Sequence, residues 1–318
     1  MDFYVKKTHE LSETERRQMN DLFVKVFEKE RSVEIMFNQY IHNPLGYSYH
    51  SFCVEEGIIQ GAATYVPAHF ICQGKKITMA TGIDVMIAPK YRNFYEFRKI
   101  IKNVFKALKA DGVPMIYGFP NDNSHPVYKT AGLMSDIGKL HTYCLPYRIG
   151  GIKKSLSPLN ILSRLYCRCR IARAKLLSKK EEAQFAIHAA DDYNATRYKR
   201  LDGAYSRASL TPESELYFKI LNHEGVRTAF IIDITHKSSR AFALACDYLI
   251  NNFGDRFDLI LYPGYLPFGN HGLVRLPRKI EPKNFHFAAQ ILDKEALSAD
   301  VVFDIKSWDV NLSLYDLI

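Results

Sequence analysis

The stretch APKYRNFYEFRKIIKNVF, residues 88–105, places two cations, Lys90 and Arg92, at the entrance to a basic amphipathic helix. A helix N-terminus carries unpaired N–H groups and the positive end of the helix dipole, so such a junction can hold a phosphate. This one contains no glycine, and each Cβ keeps a phosphate oxygen away from the backbone. The plain alternative is an ordinary strand-to-helix connection with solvated cations. Asp84 lies on the polar side of the preceding strand, where a carboxylate can face an acceptor or pair with a nearby Arg or Lys. His69, His125 and His141 are base candidates by residue type, although each also reads as a surface or core histidine. His125 is the best base candidate, because it shares a loop with Asn121. Asn121 follows a proline, which is ordinary turn chemistry, and Tyr128 is one of 20 tyrosines.

Other chemistries are excluded by spacing. The six cysteines, at 53, 72, 144, 167, 169 and 246, form no CxxC pair. Neither a disulfide framework nor a structural metal site is expected, and buried thiols are the better reading. No P-loop, Rossmann fingerprint or pair of catalytic carboxylates appears in the second half. The loop GYLPFGNHG, residues 264–272, reads as a recognition loop or a long hairpin. The N-terminus lacks an apolar signal core and no apolar run reaches the roughly 20 residues of a membrane span. The expected location is the cytoplasm.

The net charge of +9 is local. Residues 148–180 hold ten Lys or Arg and no Asp or Glu, which leaves 33 basic and 34 acidic residues elsewhere. A general attraction to nucleic acid is therefore not indicated. Within this segment, Leu159, Leu162, Leu165, Tyr166, Cys169, Ala172 and Leu176 share one helical face. Residues 156–180 read either as a helix docked on its own protein or as one lying on anionic lipid.

Elements that would position these residues follow from periodicity. Ser12 and Glu15 form a capping box before the apolar helical spacing of Leu22, Phe23, Val26 and Phe27. A helix is predicted over 33–41 and ends at Asn43-Pro44. Strands are expected over 47–54, 58–72 and 77–88, with turns at Glu56-Gly57 and Gln73-Gly74. Ile83, Val85 and Ile87 alternate with Gly82, Asp84 and Met86, as in a half-buried strand. A helix with Phe97, Ile100, Ile101, Val104, Phe105 and Leu108 inward leads to a buried strand at 115–119, a short helix and two more strands by Tyr147. The later order of strand 227–234, helix 239–252 and strand 259–262 repeats this plan. The expected division is 1–147, a basic helical linker over 148–183, and a C-terminal α/β domain over 184–318.

Two stretches resemble the GNAT superfamily of acyl-CoA-dependent N-acyltransferases. GIDVMIAPKYRNFYEF resembles the family's central strand, proline and pyrophosphate loop. GFPNDNSHPVYKTAGL fits its pattern of Asn, Tyr seven residues on and Gly four later, here Asn121, Tyr128 and Gly132. The NPLG at 43–46 resembles a subgroup with two tandem GNAT-like domains. The resemblance is fair over 1–147 and faint beyond 184. It implies an α/β (α+β) fold with a mixed, largely antiparallel, twisted sheet flanked by helices, in tandem copies.

It further implies acetyl-CoA or another acyl-CoA as co-substrate, no metal, and an amine acceptor, either a small molecule or a glycan such as an amino sugar or surface-polysaccharide precursor. By analogy, backbone N–H groups near Met86 and Ile87 meet the pantetheine and the oxyanion. Lys90, Arg92, Asn93, Phe94 and Tyr95 meet the pyrophosphate, and Asn121 meets the pantetheine amides. Tyr128 protonates the departing thiolate, and Asp84 faces the amine. The family's loop glycines are replaced here by Tyr95 and Phe97, with Glu96 between them, which leaves Lys90 and Arg92 to compensate. Two alternatives stay open. One is a catalytically silent GNAT-like binding or scaffold protein; the other is a Fem-type transferase using aminoacyl-tRNA, with the basic segment on RNA phosphates.

Overall fold

The structure is a computed structural model that describes residues 1–200 and 205–315. Its strands are β1 (Asp2–Lys7), β2 (Tyr49–Glu55), β3 (Ile58–Cys72), β4 (Lys75–Ile87), β5 (Met115–Gly118), β6 (Ser135–Lys139), β7 (His141–Pro146), β8 (Ile187–Ala189), β9 (Ser206–Ser209), β10 (Glu215–His223), β11 (Val226–Ile234), β12 (Leu259–Gly264), β13 (Val274–Arg275) and β14 (His286–Ile291). The α-helices are α1 (Glu13–Phe27), α2 (Val33–Ile41), α3 (Phe94–Ala110), α4 (His125–Thr130), α5 (Ile149–Ile152), α6 (Asn160–Leu177), α7 (Asp191–Arg200), α8 (Ser239–Phe253) and α9 (Ala299–Val302).

The chain divides into two compact units, each assembled from three stretches. The first comprises Met1–Lys139, Ala186–Asp202 and His286–Trp308, and the second Leu140–Phe185, Gly203–Phe285 and Asp309–Ile318. β6 and β7 are neighbours in sequence yet pair into different sheets.

The first unit's sheet runs β1-β2-β3-β4-β5-β14-β6, with β8 added to β3. Every pairing is antiparallel except β4 with β5, where α3 makes the crossover. The expected turns are present, with Glu56, Gly57, Gln73 and Gly74 all at positive φ. Ser12 accepts a hydrogen bond from the Glu15 N–H, while Glu15 accepts from the Ser12 N–H, so the capping box closes and starts α1. Two apolar layers follow. α1 and α2 contribute Met19, Leu22, Met36, Phe37 and Tyr40 to one face, and α3 contributes Ile100, Ile101, Val104 and Leu108 to the other.

β4 departs from simple alternation. Thr64 pairs with Ile83 and Ala62 with Met86, so β3 spends one residue where β4 spends two. The extra residue is a bulge at Asp84, whose φ is +48°. Beyond it the faces exchange: Ile83, Met86 and Ala88 share the α1–α2 core, while Val85 and Ile87 join the α3 core. The expected grouping of Ile83 with Val85 and Ile87 is thus corrected, and the strand is buried on both faces.

The second unit has a six-stranded sheet in the order β13-β7-β12-β11-β10-β9. Its one parallel pair, β11 with β12, is joined by α8. Its core gathers Cys167 and Ile171 of α6 with Phe242, Ala245 and Leu249 of α8 over the sheet. Five of the cysteines are buried thiols as expected, but Cys169 is exposed.

Candidate functional site

Parallel pairing of β4 with β5 spans only Met79–Met115, Ala80–Ile116 and Thr81–Tyr117. β4 then continues through six further residues to Ile87 with no partner on that side among the described residues, so the two strands splay apart beyond Thr81 and Tyr117. In open α/β sheets, ligands bind beyond the carboxyl ends of parallel strands.

The bulge determines which amides face the splay. The Ala88 N–H donates to the Gln60 carbonyl at 2.8 Å, across the ladder with β3. Successive amides of a strand point to opposite sides. The Met86 N–H is therefore also directed at β3, and the Ile87 and Val85 N–H groups face the splay. Of the two amides expected here, Ile87 is presented and Met86 is not.

Asp84 is pinned from behind. Its Oδ2 accepts from Arg31 Nη1 at 3.0 Å and from the Tyr40 hydroxyl at 2.7 Å. The Arg31 guanidinium lies 3.5 Å from the centroid of the Phe23 ring. Both members of the ion pair are largely buried, with side-chain exposures of 10% and 13%. The carboxylate thus clamps the bulge to α2 and the segment before it.

Gly82, at the base of the splay, has a packing reason to lack a side chain. A Cβ there would lie 3.0 Å from Tyr65 Cζ and 3.2 Å from its hydroxyl oxygen. The buried Tyr65 and Tyr128 hydroxyls are hydrogen-bonded to each other. Burial pushes the Tyr128 phenol up to about 12, with the Tyr65 hydroxyl pulling it partly back. Tyr128 packs edge-on against Phe97 of α3 at 5.0 Å between ring centroids. Tyr128, Tyr65 and Gly82 therefore form one contiguous wall beside the splay.

The β4–α3 turn is self-contained. The Tyr91, Arg92 and Asn93 N–H groups donate to the carbonyls of Ala88, Pro89 and Tyr91. Asn93 Oδ1 caps α3 by accepting from the Tyr95 N–H at 2.9 Å and the Glu96 N–H at 3.2 Å, and the Phe97 N–H donates to the Asn93 carbonyl. Six of the turn's amides, those of Tyr91, Arg92, Asn93, Tyr95, Glu96 and Phe97, are thus already bonded. Phe94 and Tyr95 are exposed, Lys90 lies over the Tyr91 ring, and Arg92 makes a long 3.4 Å bond to the Ile87 carbonyl on the splay side of β4. The backbone does not offer a phosphate cradle, so side chains are what remain.

Asn121 shapes the opposite rim. Its Oδ1 accepts from the Asn123 and Ser124 N–H groups, and its carbonyl from the His125 N–H, which starts α4. His125 lies there with its Nε2 2.5 Å from Asp136 Oδ1. Its ring stacks on His286 at 4.0 Å and 11°, and His286 Nε2 lies 2.7 Å from Asp122 Oδ1. Because β14 runs antiparallel to β5 with Ala288 opposite Gly118, His286 lies at the carboxyl end of β5. His69 instead meets Asp192 at 2.7 Å, and His141 of the second unit lies 3.4 Å from Glu281. His286, Tyr65 and Arg31 carry no local sequence signal as members of this assembly, since each is brought in by sheet pairing or helix packing.

In the second unit the corresponding strands are engaged differently. Asn311 bridges to Gly264 of β12, and its Nδ2 donates to Asp233 Oδ1 of β11 at 3.0 Å. The buried Lys237 ammonium lies 2.6 Å from Asp233 and 2.8 Å from Asp309. Phe268, in the Gly/Pro loop, packs on Phe242.

No curated protein matches the chain. Among solved structures, a probable N-acyltransferase of unknown function from Enterococcus faecalis V583 has a TM-score of 0.61 and 14% identity, covering 92% of this chain and 73% of its own. A GCN5-related N-acetyltransferase from Anabaena variabilis ATCC 29413 has 0.60 and 13%, covering 91% and 73%. Eis1 from Mycobacterium abscessus has 0.59 and 13%, covering 93% and 75%. At these identities the likeness is one of fold. The architecture is GNAT-like, and residues 7–133, which hold the bulged β4, the β4–α3 turn and Tyr128, match the acetyltransferase (GNAT) domain family.

Proposed function

We propose that the first unit is an N-acyltransferase that moves an acyl group from coenzyme A to a primary amine at the β4–β5 splay. The observation carrying this reading is the pinned bulge at Asp84, which leaves the Ile87 N–H facing a gap walled by Tyr128. Attack of a neutral amine on the thioester carbonyl builds an oxyanion, and a fixed backbone N–H is suited to stabilise it. Collapse breaks the C–S bond and releases a thiolate.

Tyr128 acts on that sulfur, and magnitudes decide how. A phenol at about 12 facing a thiolate whose acid titrates near ~8.5 would lose its proton uphill by about 5 kcal/mol. Tyr128 therefore donates a hydrogen bond to the developing thiolate rather than fully transferring its proton. His125, stacked on His286, is the base that receives the amine proton.

The donor is held through its acyl-pantetheine end, with Lys90 and Arg92 supplying phosphate contacts in place of the turn's bonded amides. The second unit is a tandem GNAT-like copy that takes no donor, because Asn311, Lys237 and their partners already bridge its strand ends. Calorimetric titration with acetyl-CoA and with CoA tests this. One site per chain is expected, weakened about 10-fold by Arg92→Ala through loss of a charge-assisted contact. Heat from neither ligand removes the reading. In that event the Asn93 cap favours the second possibility, a GNAT-like fold that binds a partner without acyl transfer.

A further inference from the structure

α6 is apolar on two opposite sides. Cys167, Ile171 and Ala174 face the second unit's core. At 100° per residue, the stripe of Ile161, Leu162, Leu165, Tyr166 and Leu176 is centred on the other side of the helix. These side chains lie in water: Ile161 is 77% exposed, Leu162 61%, Leu165 56% and Leu176 84%. A helix that only docks on its own protein needs one apolar stripe, and α6 already has that stripe covered. The face that the sequence suggests for docking is thus the uncovered one.

Charge complements this second face. The salt-bridged or carbonyl-bonded cations Arg148, Arg170 and Lys175 are committed within the unit. Arg164, Arg168 and Arg173 on α6, with Lys153 and Lys154 just before it, are exposed around the apolar stripe, and no Asp or Glu occurs from residue 148 to 180. Apolar side chains rimmed by cations, without a balancing carboxylate, complement an anionic lipid interface. No described helix is long and apolar enough to cross a membrane, so α6 would lie in the interface plane.

We propose that α6 is a membrane-surface anchor, which beds Leu162, Leu165 and Leu176 among the acyl chains of an anionic leaflet while Arg164, Arg168 and Arg173 meet lipid phosphates. The inference is independent of acyl transfer.

Co-sedimentation of the full chain with vesicles tests it, using phosphatidylcholine alone and with about one-third phosphatidylglycerol. Binding to the anionic vesicles and weak or no binding to the neutral ones is expected. The triple variant Leu162→Ser/Leu165→Ser/Leu176→Ser should lose binding at least ~10-fold. Arg164→Gln/Arg168→Gln/Arg173→Gln should weaken it several-fold and flatten its salt dependence. Both sets are exposed, so the thermal transition should be unchanged, and circular dichroism checks that. Absence of binding to the anionic vesicles overturns the proposal. So does equal binding by the leucine variant. Light scattering that shows a dimer converted to monomer by the leucine variant, with no vesicle binding, would assign the face to a second copy of the chain.

Discussion

Positive φ inside a strand costs free energy for any residue but glycine, and at Asp84 the surroundings account for that cost. Arg31 and Tyr40 hold its carboxylate, and the αL conformation creates the bulge that re-aims β4. Asn tolerates this φ and can still accept from Tyr40, whereas Ala leaves a mostly buried guanidinium without its counter-ion. Asp84→Ala should therefore destabilise by about 3 kcal/mol, and Asp84→Asn by clearly less, in urea titrations. A purely catalytic carboxylate would instead lose activity without moving the unfolding midpoint. Tyr128→Phe should lower kcat by ~10- to 100-fold with little change in donor affinity, since the hydroxyl is needed only once the thiolate develops. The strand pattern drew attention to Asp84, while Tyr128 entered through the family resemblance rather than through local spacing. Their partners Arg31 and Tyr65, and the His286 ring stacked on His125, were not legible, because no local pattern links residues that meet only through packing.

At the scale of elements, caps determine where helices begin and what their ends can bind. Burial raises the Glu15 carboxyl, but bonds from Lys6, the Ser12 N–H and hydroxyl, and the Tyr4 hydroxyl outweigh it and hold the group at about 2. Since the folded value lies below the ordinary 4.5, the stabilisation is full above about pH 4.5 and is lost as pH falls through about 2. It is worth on the order of 3 kcal/mol at neutral pH. The gap in thermal midpoint between wild type and Glu15→Gln should be present at pH 7 and close toward pH 2. At α3, Asn93→Ala should cost about 1 kcal/mol of stability. It also releases the Tyr95 and Glu96 amides, so CoA affinity should rise or hold rather than fall. A titration in which Asn93→Ala abolishes binding would instead make Asn93 a direct ligand contact. Helices and strands were legible here because apolar spacing at 3.6 and 2 residues is local. The bulge was hidden, since Asp in a strand pattern looks like any polar position.

For the whole molecule, strand order carries what periodicity could not. The sequence suggests a strand–helix–strand plan in each half, and both halves have one. It gives no sign that β14 inserts between β5 and β6, since pairing across such separations leaves no trace in local composition. A fragment ending at residue 147 would lack β14 and β8, and with them the partner of β6 and one neighbour each of β5 and β3. Such a fragment should fail to show a cooperative urea transition, while the full chain should show one.

That same insertion has a consequence in time. During synthesis β6 leaves the ribosome long before residues 286–291 exist to join it to β5. At roughly 5–20 residues per second, the two strands wait on the order of ten seconds or more with facing edges open. Whatever shields those edges in the interval, a holding chaperone or transient collapse of the nascent segment, is as much a condition of this fold as any residue in its core.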